Sequence, residues 1–436
     1  MKKFNVLLLA ALCVGTARAA DLLTAYQDAM THDAQFAAAR AALDAGREKL
    51  PQGRAGLLPT VSASANTFWN DESWKARSFG IDTDAKYNSN GWSVTLSQPL
   101  FRMQNWVAYT QAELAVAQAE AQFVAARQAL IVRVTQAYFD VLLAQEALTT
   151  TRAQKVAISE QLAAAKRSFE VGTATITDTN EAQSRYDLII AQELAAENDL
   201  AVKRETLRTV VGKDEGELKP LKPGVALLTP RPADINQWVG MAENANPTVQ
   251  ASQASYEIAT REIERQHAGH YPTLDLVAGH NNMHTKSMMV GANQIDGDRI
   301  GLQLSIPLYS GGAVMSQERE AAALKEKAAA DLDNTRRQAA LDVRSAYLGV
   351  TSGLSQVKAF EAAMVSSKSS LDSNKTGYEV GVRINIDVLN AQSQLYTTQQ
   401  SLAKARLDTL LALLRLKLAA GNLSETDIQA VNALLD

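Results

Sequence analysis

The chain has 436 residues, with 43 Lys and Arg against 47 Asp and Glu, a formal net charge of −4, 46% hydrophobic residues and only 6% aromatic ones. The basic residues are scattered among the acidic ones and form no stripe, so the counterion release that drives nucleic-acid binding is missing and nucleic acid is excluded as a partner. The single cysteine, Cys13, lies in the leader described next, which excludes disulfides, Cys-based metal sites and a cysteine nucleophile from the exported protein.

The N-terminus reads as a secretory signal peptide over residues 1–19. Lys2 and Lys3 precede an apolar run from Val6 to Val14, and Ala17-Arg18-Ala19 supplies an A-x-A cleavage site, so the mature chain begins at Ala20 or Asp21. The apolar run is about half of the roughly 20 residues that a membrane-spanning helix needs. Cys13 follows Leu12 in mid-run and does not mark a lipoprotein cleavage point.

The rest of the chain is one half written twice. "AGLLPTVSASA" at 55–65 returns as "AGHYPTLDLVA" at 268–278, and "WSVTLSQPLF" at 92–101 returns as "IGLQLSIPLY" at 300–309. Gly172 and Gly381, Asp178 and Asp387, and Tyr138 and Tyr347 are each 209 positions apart (381 − 172 = 209). The first repeat spans 20–211. A Pro- and Gly-rich linker at 212–232 separates it from the second at 233–420, and a tail follows at 421–436.

Within each half the order is helix, strand, strand, long helix, helix. In the first half, a helix over 21–50 precedes strands near 58–68 and 92–100, with Pro59 and Pro99 at strand starts or ends. A long helix over 102–168 and another over 178–211 follow. The second half repeats this with a helix over 234–267, strands near 272–280 and 299–308 marked by Pro272 and Pro307, and helices over 313–376 and 385–418. Val343, Tyr347, Val350, Leu354 and Val357 recur at steps of four and three, a coiled-coil seam echoed at Val134, Tyr138, Val141 and Leu148. Alanine fills many neighbouring positions and lets helices approach closely. At 1.5 Å per residue the long helix runs roughly 100 Å, and two shorter helices end to end match it.

The strands alternate with period two: Ile300, Leu302, Leu304, Ile306 and Leu308 against Gly301, Gln303, Ser305 and Pro307. Two matched amphipathic hairpins in an exported, otherwise helical chain point to a membrane barrel with its apolar face on outer-membrane lipid. Four strands cannot close a barrel, so such a chain must oligomerise; two copies give about eight strands, the size of the smallest outer-membrane barrels, and three give about twelve and room for a channel.

Each half also stops its helix at Val-Gly and restarts through an aspartate. Gly172 and Gly381 suit the left-handed conformation of helix ends, and Asp178 and Asp387 suit the N-cap or first turn of the returning helices.

The duplicated Pro-containing strands "LSQPLF" and "LSIPLY", with the two Val-Gly-x(5)-Asp turns, resemble the TolC family of outer-membrane channel-tunnels over essentially the whole mature chain. The resemblance implies a mainly α fold with a membrane β-barrel: a homotrimer with a twelve-stranded barrel and a long periplasmic α-helical tunnel, in the outer membrane of a Gram-negative bacterium. It implies docking of a periplasmic adaptor and an inner-membrane ABC or other export pump. It also implies that Thr177 and Asp178 latch the entrance through Tyr378 and Arg383, and that Asp387 lines the narrowest ring. Asn390 stands where the family pattern has a second Asp, giving three carboxylates in place of six. The expectation is weaker block by multivalent cations, restored by Asn390→Asp.

"HAGH" at 267–270 and "HNNMH" at 280–284 have spacings that can chelate metal, and "HNNMHTKSMM" at 280–289 offers His and Met to copper, but a strand separates the first two groups. The reading is an entry turn plus a surface loop, with no metal and no cofactor. There is no G-x-S-x-G, H-E-x-x-H or P-loop, so no enzyme is expected. The expected function is an exit duct for type I protein secretion. The alternatives are the outer-membrane component of a small-molecule efflux pump, a poreless periplasmic coiled coil, and an adaptor; the last has only one helical hairpin, where this chain has two matched halves.

Overall fold

The structure is a computed structural model of one chain that describes residues 20–76, 81–287 and 291–436. The signal-peptide segment, and Met288 and Met289 of the copper reading, lie outside the described residues. The order is α1 (Leu22–His32), α2 (Ala34–Arg47), α3 (Lys49–Ala55), β1 (Thr60–Ala76), β2 (Ile81–Phe101), α4 (Met103–Glu170) and α5 (Ile176–Val211). It repeats as α6 (Ile235–Ala245), α7 (Pro247–His267), β3 (Thr273–Ser287), β4 (Gly291–Ser305), α8 (Ala313–Glu379) and α9 (Asn385–Ala419), with α10 (Glu425–Asn432) in the tail. Among the described residues no helix is long and apolar enough to cross a membrane.

Two compact units are built from these elements. One holds β1 to β4 with Arg40–Val124 and Pro247–Gln338; the other holds Ala125–Asn246, Ala339–Asp436 and the N-terminal segment to Ala39.

The four strands form one antiparallel sheet in chain order. Its register sorts side chains by face. Val61, Leu96, Ala278 and Ile300 lie in one cross-strand row, and Ser62, Thr95, Gly279 and Arg299 in the next, on the opposite face. The apolar face is uncovered in the single chain: Ile300 is 77% exposed and Leu302 66%. It ends at Trp92, whose ring lies 4.9 Å from that of His280. Among the described residues β1 and β4 each pair along one edge only.

The strands outrun the alternating pattern. β1 continues to Ala76 and β3 to Ser287, because cross-strand pairing goes on where both faces are polar, as at Asp71 and Lys86, whose charged groups are 3.0 Å apart. The surface-loop reading of 280–284 is therefore corrected: these residues belong to β3 and pair with β4. Pro59 and Pro272 immediately precede β1 and β3, Pro99 sits at a register shift near the end of β2, and Pro307 lies two residues beyond β4.

The helices ahead of the hairpins are also broken where a single run was expected. Asp33 leaves the helical region at ψ 116, its carboxylate accepts from the Phe36 amide at 2.6 Å, and Arg133 pairs with it at 2.6 Å. Asn246, at ψ 122, precedes Pro247, whose ring disfavours a helical residue before it.

In the helical unit, Tyr138, Leu410, Leu414, Leu416 and Trp238 are fully buried. The repeat-related tyrosines do related jobs. The Tyr138 hydroxyl reaches the carbonyls of Ala20 at 3.0 Å and Lys219 at 3.1 Å, and the Tyr347 hydroxyl donates to the carbonyl of Ala233. Ala20 and Ala233 each lie two residues ahead of the first helix of their half, so each tyrosine fastens a half at its start. Ion pairs zip the hairpins: Arg152 to Glu193 and Glu197 and Lys155 to Glu193 between α4 and α5, and Arg406 to Glu361 between α8 and α9. The Lys155 and Arg152 charges hold the Glu193 carboxyl below the usual range.

Candidate functional site at the hairpin tips

Both long helices end in the same way. Gly172 has φ 81 and Gly381 φ 76. Around Gly172, its amide donates to the Phe169 carbonyl at 3.0 Å and the Thr173 amide to the Ser168 carbonyl at 2.8 Å. Around Gly381, its amide donates to the Tyr378 carbonyl at 3.1 Å and the Val382 amide to the Gly377 carbonyl at 2.8 Å. These paired bonds satisfy carbonyls the helix end leaves free and require the left-handed backbone that glycine adopts without strain.

The restarts differ. On α5 the Thr175 hydroxyl accepts from the Asp178 amide at 3.3 Å and the Asp178 carboxylate accepts from the Thr175 amide at 2.9 Å, a complete capping box. On α9 the corresponding position is Ile384, which makes no side-chain cap. The Asp387 carboxylate is left free of capping and lies 3.6 Å from the Arg383 guanidinium. Both aspartates are first-turn acids, but only Asp178 is taken up by a capping box; the Asp387 carboxylate is available for other work.

Thr177 is exposed, and Tyr378 packs against Leu371, Val388 and Ala391. In the single chain, among the described residues, neither Thr177 nor Asp178 bonds to Tyr378 or Arg383. The structure instead ties the two tips together through residues the sequence did not single out. Asn385, 2% exposed, accepts from the Gln161 side chain of α4 and donates to the main-chain carbonyl of Asp178 at 3.5 Å. Arg185 of α5 donates to the Asn390 side-chain oxygen of α9 at 3.0 Å. Leu389 of α9 joins Ile158, Leu162, Ala165, Ala182 and Ile189 in a buried cluster that holds the helices at this register. The local sequence carries little signal for this: in "RINIDVLN" Asn385 is one of four polar residues, and nothing in the pattern marks it as the buried one.

Three of the five histidines face carboxylates. His267 and His270 lie 2.8 and 3.5 Å from Glu318, and His280 lies 2.9 Å from Asp298 and 3.4 Å from Asp296. Among the described residues no group of three or more His, Cys, Asp or Glu is arranged to hold a metal ion.

The model for outer membrane efflux proteins matches residues 25–213 and again 238–422, once in each half. The chain belongs to the outer membrane efflux protein family. Outer membrane protein TolC of Vibrio cholerae is 33% identical over 99% of this chain and 98% of its own length. Proteases secretion protein PrtF of Dickeya chrysanthemi is 32% identical over 99% of this chain and 95% of its own. The fold matches the crystal structure of the Campylobacter jejuni CmeC outer membrane channel with a TM-score of 0.81, covering 95% of this chain and 90% of that one at 16% identity. Membership of the outer membrane efflux protein family places the chain in the outer membrane, and gives the sheet with one apolar and one polar face its setting.

Proposed function

We propose that three copies of the chain close a twelve-stranded barrel and continue it as a periplasmic helical tunnel. This trimer is the exit duct for substrates passed on by a periplasmic adaptor and an inner-membrane ABC or other export pump. The observation that carries this reading is the four-stranded sheet: apolar on one face, polar on the other and, among the described residues, unpaired along both edges. Open edges in lipid leave backbone groups unsatisfied, and only closure with further copies removes them. Likeness to a protein named for protease secretion favours type I protein secretion over small-molecule efflux.

The tips are the entrance of this duct, with Asp387 and Asn390 at its constriction. Thr177 is exposed and the Arg383 side chain is 58% exposed, so both are open to a neighbouring protomer, which is where the latch of Thr177, Asp178, Tyr378 and Arg383 operates. The duct carries out no covalent chemistry.

Purified trimer reconstituted in planar bilayers should give a stable conductance. A properly trimeric preparation that never conducts would refute the duct and favour a poreless coiled coil. A strain lacking the gene should lose secretion of a polypeptide substrate while keeping its drug tolerance; the reverse pattern assigns the chain to efflux.

A further inference from the structure

We propose that Arg185 is the selectivity-determining residue of the entrance: it holds position 390 electropositive, so multivalent cations are not retained there. The inference rests on the reading of the tips as the entrance. Its geometric basis is the 3.0 Å bond from the Arg185 guanidinium to Asn390. A neutral amide accepts this bond without cancelling the charge. The neighbouring carboxylate of Asp387 already faces another guanidinium, Arg383, at 3.6 Å, and the Asp178 carboxylate is engaged by Thr175 at 2.7 and 2.9 Å. Of the four side chains Arg185, Arg383, Asp387 and Asn390, two are cationic and one is anionic, so each protomer brings one net positive charge to this group.

The pair also changes what position 390 can do. A carboxylate placed there meets the Arg185 fork at hydrogen-bond distance and forms an ion pair. The field of a carboxylate paired in this way is largely cancelled at a distance, and a polycation in the opening gains little from it. Asn390→Asp alone therefore does not recreate a ring of unpaired carboxylates, and Arg185 must be removed as well. Anionic solutes meet the least opposition at such an entrance.

The test uses the full trimer in planar bilayers, with spermine added on the tip side, and compares R185Q, R185K, N390D, R185Q/N390D and D387N. N390D alone should change spermine block by less than about threefold, and R185Q/N390D should tighten it by about tenfold or more, as expected for unpaired carboxylates acting on a polycation at short range. R185Q should move the reversal potential toward cation preference, while R185K keeps it near the parent value. Block in N390D as strong as in the double variant would overturn the inference, as would an unchanged reversal potential in R185Q. If D387N alters block or selectivity and the Arg185 variants do not, Arg185 has no such role and the entrance stands. If no variant, D387N included, alters either quantity, the entrance reading itself is wrong.

Discussion

Thr175 and Ile384 occupy the same place in the two repeats (384 − 175 = 209), and only Thr175 caps its helix. This single difference decides the fate of the aspartate three residues on. Asp178 closes a capping box, and Asp387 turns to Arg383. Two tips of matching sequence thus present different chemistry, one locally satisfied and one carrying an accessible ion pair.

Ile384→Thr should install the missing cap, drawing Asp387 onto the new N-cap amide and away from Arg383. Capping exchanges of this kind are worth about 0.5–2 kcal/mol. Thermal unfolding of the trimer should move upward for Ile384→Thr and downward for Thr175→Ala. Equal melting temperatures for the parent and both variants would show that neither tip depends on its cap.

Asn385→Leu keeps the branching and heavy-atom count of the side chain but leaves the Gln161 amide and the Asp178 carbonyl without their partner. Leaving buried polar groups unpaired costs about 1–3 kcal/mol. The tie runs between α4, the start of α5 and the start of α9, so its loss should loosen the tips. Single-channel conductance of the closed trimer should rise in Asn385→Leu, and parent-level conductance in a correctly assembled variant would exclude Asn385 as a restraint.

Glu262 on α7 is held down at about 2 by the hydrogen-bonded Arg265 guanidinium, against the opposing effect of its burial, with Gln111 and Gln266 also donating to it. A carboxyl whose folded value lies below its unfolded value stabilises the fold fully above the unfolded value near 4.5, and that contribution disappears as pH falls toward about 2. Acid titration of unfolding should show this loss in the parent and a flatter profile in Glu262→Gln. Identical profiles between pH 5 and 2 would mean the cluster contributes nothing to acid stability.

The repeat, the helical seam and the alternating strands were legible because they follow from local periodicity and from comparing one half with the other. Strand length was not legible beyond the apolar face: at Asp71, Lys86 and Asn282 both faces are polar, and nothing in the pattern separates a paired strand from a loop. The helix break at Asp33 was only half legible: its bond to the Phe36 amide is local, but Arg133, which pairs with the same carboxylate, lies 100 positions away in sequence. At the tips, the aspartates and glycines were recognisable by type, but their partners were not. Whether Asp387 meets a cap or Arg383 depends on one residue, Ile384. Whether Arg185 reaches position 390 depends on how α5 and α9 are set against each other, which a single chain's sequence states only through the packing of Leu389 and Ile189.

The two bare edges of the sheet also have a kinetic meaning. A lone chain has no low-energy way to leave water for the bilayer, since each unpaired edge would carry its amides and carbonyls into hydrocarbon. Insertion and assembly are therefore one event, of higher than first order in chain concentration. On that reading, halving the supply of exported chain should lower the yield of inserted protein by more than half, with chains that find no partners left on the aqueous side.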